Sequence, residues 1–228
     1  MATLGKSYTS RYIADQRISI YPVEFVVRAF LGTYPDLQMP RNEYEGKKVL
    51  DLGYGDGRNM PLLHDLGFSV FGVEIADDIN NHAQARLSSL GVEAELKTGK
   101  NHHIPYDNSF FDYVLACHSC YYIESGTSFE DNLAEIARVL QVDGYFIASL
   151  PMTDTYILQD ASFLGDGYYK ISRDPYNLRN GTVFRAFSQE EEICNAFSPL
   201  YKNFCIGFCD DFFWGIRQKV WIIVCQKK

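Results

Sequence analysis

The chain lacks both a long apolar run and a cluster of basic residues. A helix that crosses a membrane needs about 20 consecutive apolar residues, so we expect no contact with a membrane. The 21 basic residues are outnumbered by 29 acidic residues, which gives a formal net charge of −8. Because neutralisation of phosphates supplies most of the affinity for nucleic acid, we also expect no nucleic-acid partner. The polar first ten residues lack the apolar core of a signal peptide, which favours a cytoplasmic protein.

The sequence also lacks the cysteine pattern of a disulfide-rich or zinc-binding module. Two of its six cysteines form the segment Cys117-His-Ser-Cys120, whose spacing superficially matches a metal or redox site. No second pair of cysteines or histidines follows at the distance of a zinc module. The pair lies at the end of a predicted buried strand, where cysteine commonly acts as a small hydrophobic residue. We therefore favour reduced thiols that pack or line a site over a metal or redox centre, and we expect no bound metal.

The most informative segment that is present is residues 49–58, where an apolar strand ends in an acid and a glycine-rich loop follows. The acid is Asp51, and the glycines are Gly53, Gly55 and Gly57. Glycine lacks Cβ and tolerates positive φ, so such a loop lets the backbone approach a ligand closely. A pyrophosphate-binding loop offers unopposed N–H groups to an anion, whereas this loop carries Asp51 and Asp56. It therefore suits a nucleoside with a cationic end, such as S-adenosylmethionine (SAM) with its ammonium and sulfonium groups.

A dinucleotide-binding loop is the main alternative for this segment. Its fingerprint is Gly-x-Gly-x-x-Gly or Ala. Counted from Gly53 the sixth position is Arg58, and counted from Gly55 it is Met60. Neither register fits, so SAM is favoured over the cofactor of a dehydrogenase.

The chain alternates strand-like and helix-like patterns, as a doubly wound α/β protein does. Strands are predicted at residues 48–52, 68–74, 92–96, 111–116, 145–150, 204–208 and 220–225. Helices are predicted at 59–66, 77–90, 127–140 and 188–198, the last two opened by the capping-box patterns Thr127-Ser-Phe-Glu130 and Ser188-Gln-Glu-Glu191. We expect a Rossmann-like, mostly parallel seven-stranded sheet with an antiparallel last strand.

A single globular domain of four parts accounts for the 228 residues. Residues 1–46 are expected to form a helical cap, with a helix from Val23 to Leu31, and residues 47–150 the nucleoside-binding core. Residues 151–187 lack clear periodicity, which is typical of a substrate lid or binding insertion. Residues 188–228 supply the last helix and the final pair of strands.

Four ordered segments of the core resemble motifs of the class I SAM-dependent methyltransferase family. They are residues 49–58, Gly72-Val-Glu-Ile75, residues 104–114, and residues 135–140 with 143–146. The resemblance covers about residues 46–150 and is strongest to small bacterial methyltransferases. It implies a SAM-binding enzyme whose product is S-adenosylhomocysteine.

The resemblance also implies roles for individual residues. Asp51 and the loop at Gly53 would hold the methionine ammonium, Gly55 and Gly57 would leave room for the cofactor, and Tyr54 would shape the methionine pocket. Glu74 would accept the ribose hydroxyls and Ile75 would pack against adenine, whose edge would meet Asn101 and the amide of His102. Cys117 would line the cofactor site. Asp51 as a plain loop cap and Glu74 as a solvated acid are the alternatives.

Candidate residues for the chemistry follow the fourth strand, because the carboxyl end of such a strand faces the ligand crevice. His118 is a candidate base and also a candidate structural histidine, while Tyr121 and Tyr122 are candidates for the catalytic pocket. In the 151–187 segment, Tyr169 and Arg179 are candidates for substrate contacts, or for an ordered lid with surface ion pairs.

Methyl transfer needs alignment more than a fixed set of catalytic groups, and alignment alone can be worth about 7–11 kcal/mol. We therefore expect transfer to a small-molecule acceptor with an oxygen or nitrogen nucleophile, by a monomer or homodimer. A regulatory or partner subunit that binds SAM or S-adenosylhomocysteine without catalysis is the alternative. An open acceptor cavity lined by residues 118–122 and the 151–187 segment would favour the enzyme.

Overall fold

The structure is a computed structural model that describes residues 4–14 and 19–228. Its helices are α1 Leu4–Ala14, α2 Glu24–Leu31, α3 Met60–Asp65, α4 Asp77–Ser89, α5 Phe129–Val139 and α6 Glu190–Phe197, with a short 3-10 helix at Tyr156–Leu158. Its strands are β1 Lys48–Leu52, β2 Ser69–Glu74, β3 Ala94–Thr98, β4 Phe111–Ala116, β5 Tyr122–Ile123, β6 Leu140–Pro151, β7 Ser162–Gly165, β8 Tyr168–Lys170, β9 Val183–Arg185, β10 Tyr201–Phe213 and β11 Ile216–Lys227.

The main sheet has seven strands in the order β10-β11-β6-β4-β1-β2-β3. Strands β1, β2, β3, β4 and β6 are parallel to one another, and β11 is antiparallel to both β6 and β10. This confirms the mostly parallel, Rossmann-like sheet with an antiparallel end. Strand β1 lies between β2 and β4, where the direction of strand addition reverses, and ligands of open α/β sheets bind at such a point.

Burial on both faces explains why the central strands form where the apolar runs lie. Val49, Leu50 and Leu52 of β1 are at most 1% exposed, as expected for a strand covered on each side. One apolar core packs α5 and α6 against the sheet, and the other packs α2, α3 and α4 against its opposite face. The central sheet therefore holds the ends of β1, β2 and β4 in fixed positions.

The ends of several elements differ from the sequence prediction. The capping box of α5 is formed by Ser128 and Asp131, one residue later than predicted. Helix α6 has no side-chain cap, because Ser188 lies one residue before its N-cap and contacts the Glu192 carboxylate instead. Strands β10 and β11 extend well beyond their predicted bounds as one long hairpin.

The predicted lid segment is a small sheet in its own right. Strands β7, β8 and β9 pair antiparallel, and β9 also pairs with β5, which follows the end of β4. Since β5 comes from the loop beside the nucleoside-binding core, this pairing fixes the 151–187 segment over the carboxyl end of the main sheet. In the part of the chain that the structure describes, no helix combines the length and the apolar character needed to cross a bilayer.

Candidate active site

A cavity of about 400 Å³ opens at the carboxyl ends of β1, β2 and β4. Its walls come from the glycine loop after β1, the end of β2, the segment after β4, helix α1, and the 151–187 segment. It thus joins the core that sequence reasoning assigned to a cofactor with the segment that it assigned to a substrate.

The glycine loop has the backbone conformation that its sequence indicates. Gly53 and Gly55 adopt φ values of +70° and +61°, a region that residues with a Cβ rarely enter. A Cβ at Gly53 would collide with the Ser119 side chain, and one at Gly55 would collide with the Tyr12 hydroxyl. Both glycines line the cavity, whereas Gly57 faces Leu87 and does not line it.

Asp51 is fully buried behind the loop and is not part of the cavity wall. Neither carboxylate oxygen has a partner in hydrogen-bond geometry among the described residues. Burial raises the pKa of the Asp51 carboxyl to about 8, and the nearby Asn59 amide only partly offsets this. A cation bound at the loop would favour the ionised form of this carboxyl group and lower its pKa.

Glu74 lines the cavity at the end of β2 and braces the glycine loop. Its Oε1 accepts the N–H of Gly55 at 3.0 Å, and its Oε2 accepts the N–H of Ile75 at 2.7 Å. Burial raises the pKa of Glu74, and these two N–H groups oppose the shift. Each oxygen keeps a lone pair with which it could accept a ligand hydroxyl.

Residues 100–103 form a tight turn at the next edge of the cavity, closed by two backbone hydrogen bonds between Lys100 and His103. Asn101 lines the cavity, and its Nδ2 donates to the carbonyls of Ser119 and Tyr122 at 2.9 and 3.3 Å. The Oδ1 of Asn101 therefore remains as an acceptor. The His102 side chain does not line the cavity.

His118 lies where β4 ends, in the left-handed region at φ +56°, and lines the cavity. Ser149 Oγ accepts the main-chain N–H of His118 at 2.9 Å and lies 3.0 Å from Nδ1 of the same residue. Ser149 Oγ can donate its proton to Nδ1 or accept a proton from it, because a hydroxyl is both donor and acceptor. Nε2 of the ring lies 3.5 Å from the amide nitrogen of Gln218, which can only donate to it.

Burial lowers the pKa of His118 to about 4, and the Arg179 and Arg58 cations add to the shift. The ring is therefore neutral near pH 7. A neutral ring offers one donor and one acceptor nitrogen, and a pKa of about 4 makes it a weak base.

Tyrosines surround the remainder of the cavity. Tyr121 and Tyr122 stack with their ring centroids 5.1 Å apart, and the Tyr122 hydroxyl lies 2.7 Å from that of Tyr8. Tyr8 and Tyr12 are one turn apart on α1 and both line the cavity. Burial raises the pKa values of Tyr121 and Tyr122 well above the ordinary value, so both phenols are neutral. Helix α1 thus covers the crevice.

Arg179 enters the cavity from the opposite wall, held by the fully buried carboxylate of Asp174. Tyr169 does not line the cavity; it lies on β8, with its ring against Phe163. Tyr169 therefore packs within the small sheet.

The structure brings most of the candidate residues to one cavity. Those that line it are Gly53, Tyr54, Gly55, Glu74, Ile75, Asn101, Cys117, His118, Tyr121, Tyr122 and Arg179. Those outside its wall are Asp51, Gly57, His102 and Tyr169. Lining residues that sequence reasoning missed include Tyr8, Tyr12, Asn59 and Gln218. The spacing of Tyr8 and Tyr12 at i and i+4 was the one available signal for a helical face on α1.

The cysteines of the 117–120 pair are thiols, as are the other four. Cys117 is half-buried on the cavity wall, where burial raises its pKa, and Cys120 packs in the core. Among residues 4–14 and 19–228, no three His, Cys, Asp or Glu side chains converge as a metal site would require.

Known proteins match this chain in part of its sequence and in its fold. Residues 50–148 match a family model described as a methyltransferase domain. YqeM of Bacillus subtilis, named as a methyltransferase, is 24% identical over 165 residues, which span 65% of this chain and 67% of that protein. A Geobacillus protein with a similar name is 27% identical over 51% of this chain and 48% of its own length.

Solved structures show the same fold. A SAM-dependent methyltransferase of Methanosarcina mazei superposes with a TM-score of 0.64 at 19% identity, covering 86% of this chain and 98% of that one. Another from Aquifex aeolicus covers 99% of this chain and all 100% of its own, with a TM-score of 0.56 at 15% identity. Residues 50–148 therefore match a methyltransferase domain, and the chain shares its fold with solved SAM-dependent methyltransferases.

The residues at the cavity fit SAM. The Asp51 carboxyl lies beneath the loop without a hydrogen-bond partner among the described residues, so it could pair with the ammonium group, and Gly53 and Gly55 hold the loop at positive φ. Glu74 lines the same cavity from the end of β2.

Proposed function

We propose that this enzyme transfers the methyl group of SAM to an oxygen or nitrogen atom of a small-molecule acceptor, mainly by proximity and orientation. Asp51 and the Gly53 loop would hold the ammonium, Glu74 the ribose, and Ile75 and Asn101 the adenine. Tyr121, Tyr122 and Arg179 would contact the acceptor. The observation that carries the proposal is the single cavity shared by the loop, Glu74 and these three residues.

When bound, SAM supplies an electrophilic methyl carbon whose bond to sulfur breaks as the bond to the acceptor forms. The electron pair stays on sulfur, and the acceptor loses a proton. The protein's part is to align the acceptor and exclude water. Helix α1 and the small sheet cover the cavity for this purpose, and such alignment is worth about 7–11 kcal/mol.

His118 would contribute through a hydrogen bond between its ring and the acceptor, which orients the lone pair that attacks. This role replaces that of a general base, because a pKa of about 4 makes the neutral ring a weak proton acceptor. The reacting group would then lose its proton to solvent or to another group of the acceptor molecule.

The open cavity beyond the glycine loop supports an enzyme over a non-catalytic binder. Side chains of the 118–122 and 151–187 segments line the space and do not fill it. Its volume of about 400 Å³ lies near the lower end of the range for small-ligand pockets, about 300–1,000 Å³. A small acceptor fits this space better than a folded macromolecule does.

A screen for S-adenosylhomocysteine release tests the proposal. Small hydroxylated and amine-bearing compounds would be compared with nucleic acid and denatured protein as acceptors. We expect turnover with a subset of the small compounds, and we expect His118→Asn to lower it without weakening S-adenosylhomocysteine binding. Turnover confined to macromolecules would contradict the proposal.

A further inference from the structure

We propose that the acceptor is a small organic carboxylate, whose anionic group binds Nη1 of Arg179 while its body packs against the tyrosines of the cavity. The inference rests on the proposed function, because it names the substrate class of the same cavity. The methylated atom would be a different group of the acceptor.

Two N–H groups of Arg179 have no acceptor among the described residues and are available to a ligand. A guanidinium carries five N–H groups. The Nε–H donates to Oδ2 of Asp174 at 2.9 Å, and Nη2 donates to Oδ1 of Asp174 at 2.9 Å and to the Tyr156 hydroxyl at 3.0 Å. Both N–H groups of Nη1 lack a protein acceptor among the described residues, on a side chain that is only 16% exposed and lines the cavity.

The guanidinium is fixed in place before any ligand arrives. The buried Asp174 carboxylate also accepts the backbone N–H groups of Tyr176, Leu178 and Arg179, each at 3.0 Å. Burial opposes ionisation of Asp174, but the Arg179 side chain and these N–H groups outweigh it and lower its pKa. A cation held this firmly loses little entropy when it binds a ligand.

The charges at this end of the cavity favour an anion. Arg11 of α1 lies over the Tyr176 ring at 5.4 Å from its centroid, and Arg179 lies at 5.8 Å from the same centroid. Asp174 pairs with Arg179 and therefore balances only one of these two cations.

The acids on the cavity wall are already engaged. Asp56 pairs with Arg58 at 2.8 Å, Glu124 pairs with Lys100 at 2.5 Å, and Glu74 accepts loop amides. Asp56 and Glu124 thus occupy Arg58 and Lys100, whereas Arg179 keeps N–H donors for an anionic ligand.

The walls around Arg179 define the rest of the acceptor. Tyr121 and Tyr122 stack on each other, and Phe184 packs edge-on against Tyr121 at 4.9 Å. Tyr156 lies beside the guanidinium, 5.9 Å from ring centroid to Cζ. Flat aromatic walls with one cation at the end suit a planar or apolar acid.

Binding of benzoate and its neutral isostere benzamide tests this inference by calorimetry, with and without S-adenosylhomocysteine. The test variant combines Arg179→Gln with Asp174→Asn, so that neither charge is left buried without its partner. Arg173→Gln is the matched control, because Arg173 is an exposed arginine of the same loop. Thermal unfolding verifies that each variant is folded.

We expect the wild-type protein and Arg173→Gln to bind benzoate about tenfold or more tightly than benzamide, since a charge-assisted hydrogen bond replaces a neutral one. The double variant should lose this preference. Equal affinity for the two probes, absence of benzoate binding, or a preference that survives in the double variant would overturn the inference. Competition in which inorganic phosphate displaces benzoate at lower concentration would also overturn it, in favour of a phosphate site.

The titration with S-adenosylhomocysteine separates this inference from the proposed function. If S-adenosylhomocysteine binds and benzoate shows no advantage, only the carboxylate subsite fails. If benzoate is preferred but S-adenosylhomocysteine does not bind, the proposed function fails and the anion subsite stands.

Discussion

Asp51, which is buried behind the cavity, and His118, which is half-buried on its wall, have side-chain pKa values that desolvation shifts in opposite directions. Asp51 has its carboxyl pKa raised to about 8, and His118 has its imidazole pKa lowered to about 4. Both shifts favour the neutral form of the side chain in the folded protein. Each group therefore links folding to pH in its own window, which makes the two contributions separable.

Asp51→Asn should stabilise the protein at alkaline pH while weakening the cofactor site. The folded pKa of about 8 lies above the ordinary 3.8, so this acid's stabilising contribution is full below about pH 4 and is lost as pH rises through 8. At about pH 8 the variant should exceed wild type in unfolding free energy by an order of 2–5 kcal/mol, and by much less at about pH 5.

Urea unfolding at the two pH values measures this difference. Asp65→Asn is the control, because that carboxylate is 80% exposed. S-adenosylhomocysteine affinity should rise with pH in wild type, as the ammonium favours ionised Asp51, and should be weak and flat in Asp51→Asn. Equal stability of wild type and variant at about pH 8 would contradict the account.

His118→Asn should remove part of the acid sensitivity of the protein. The folded pKa of about 4 lies below the ordinary 6.5, so the unfolded chain binds the extra proton between these values and stability falls as pH decreases through that window. The contribution is about 3 kcal/mol. Asparagine tolerates the left-handed backbone at this position.

Unfolding free energies at about pH 7 and about pH 4.5 measure the effect, with the exposed His103→Gln as control. A variant with the same acid dependence as wild type would show that His118 is not the neutral ring described above.

At the scale of elements, helix starts depend on one or two side chains that sequence patterns locate only to within a residue. Both Thr127-Ser-Phe-Glu130 and Ser188-Gln-Glu-Glu191 have the letters of a capping box. In the first, the box forms one residue later, because Asp131 can return a bond to Ser128. In the second, no side chain caps the helix.

Ser128→Ala should therefore cost about 1 kcal/mol of unfolding free energy, the typical value of an N-cap. Ser188→Ala, the same change beside the uncapped helix, should cost less than about 0.5 kcal/mol, since Ser188 makes only an exposed contact with Glu192. Chemical denaturation of both variants gives the comparison. A larger loss from Ser188→Ala than from Ser128→Ala would show that the caps are assigned to the wrong residues.

Elements with a continuous apolar run were predictable, and elements shaped by distant contacts were not. Strands β1 and β4 are mostly apolar and buried, and they match their predicted bounds. Helix α1 lacks a strong apolar face, and it is positioned by contacts such as the Tyr8–Tyr122 hydroxyl pair, 114 residues apart in the chain. The outer ends of β10 and β11 mix apolar and polar residues without a regular alternation, so the sequence did not predict them as strands.

At the scale of the molecule, the site also combines residues that local sequence predicts with residues that distant contacts position. The glycine loop and Glu74 follow from local sequence, because one strand end and one turn determine their positions. Arg179 was recognised by its residue type, but its fixed guanidinium depends on Asp174 and Tyr156. Tyr169 has the same residue type as Tyr156 and Tyr176, which line the cavity, but its place on β8 puts it outside the cavity wall.

The proposed function depends on one claim, which is that the crevice between the glycine loop and Glu74 binds the nucleoside of SAM. Titration with S-adenosylhomocysteine, beside NADH, tests it most directly. Glu74→Gln keeps the side-chain shape and one acceptor for the loop amides, and Glu93→Gln changes an exposed acid as control. Thermal unfolding establishes that both variants are folded.

We predict one bound S-adenosylhomocysteine per chain and no NADH binding in wild type, with affinity weakened about tenfold or more in Glu74→Gln and unchanged in Glu93→Gln. No binding of S-adenosylhomocysteine to the wild-type protein, or equal affinity in Glu74→Gln, would contradict the claim.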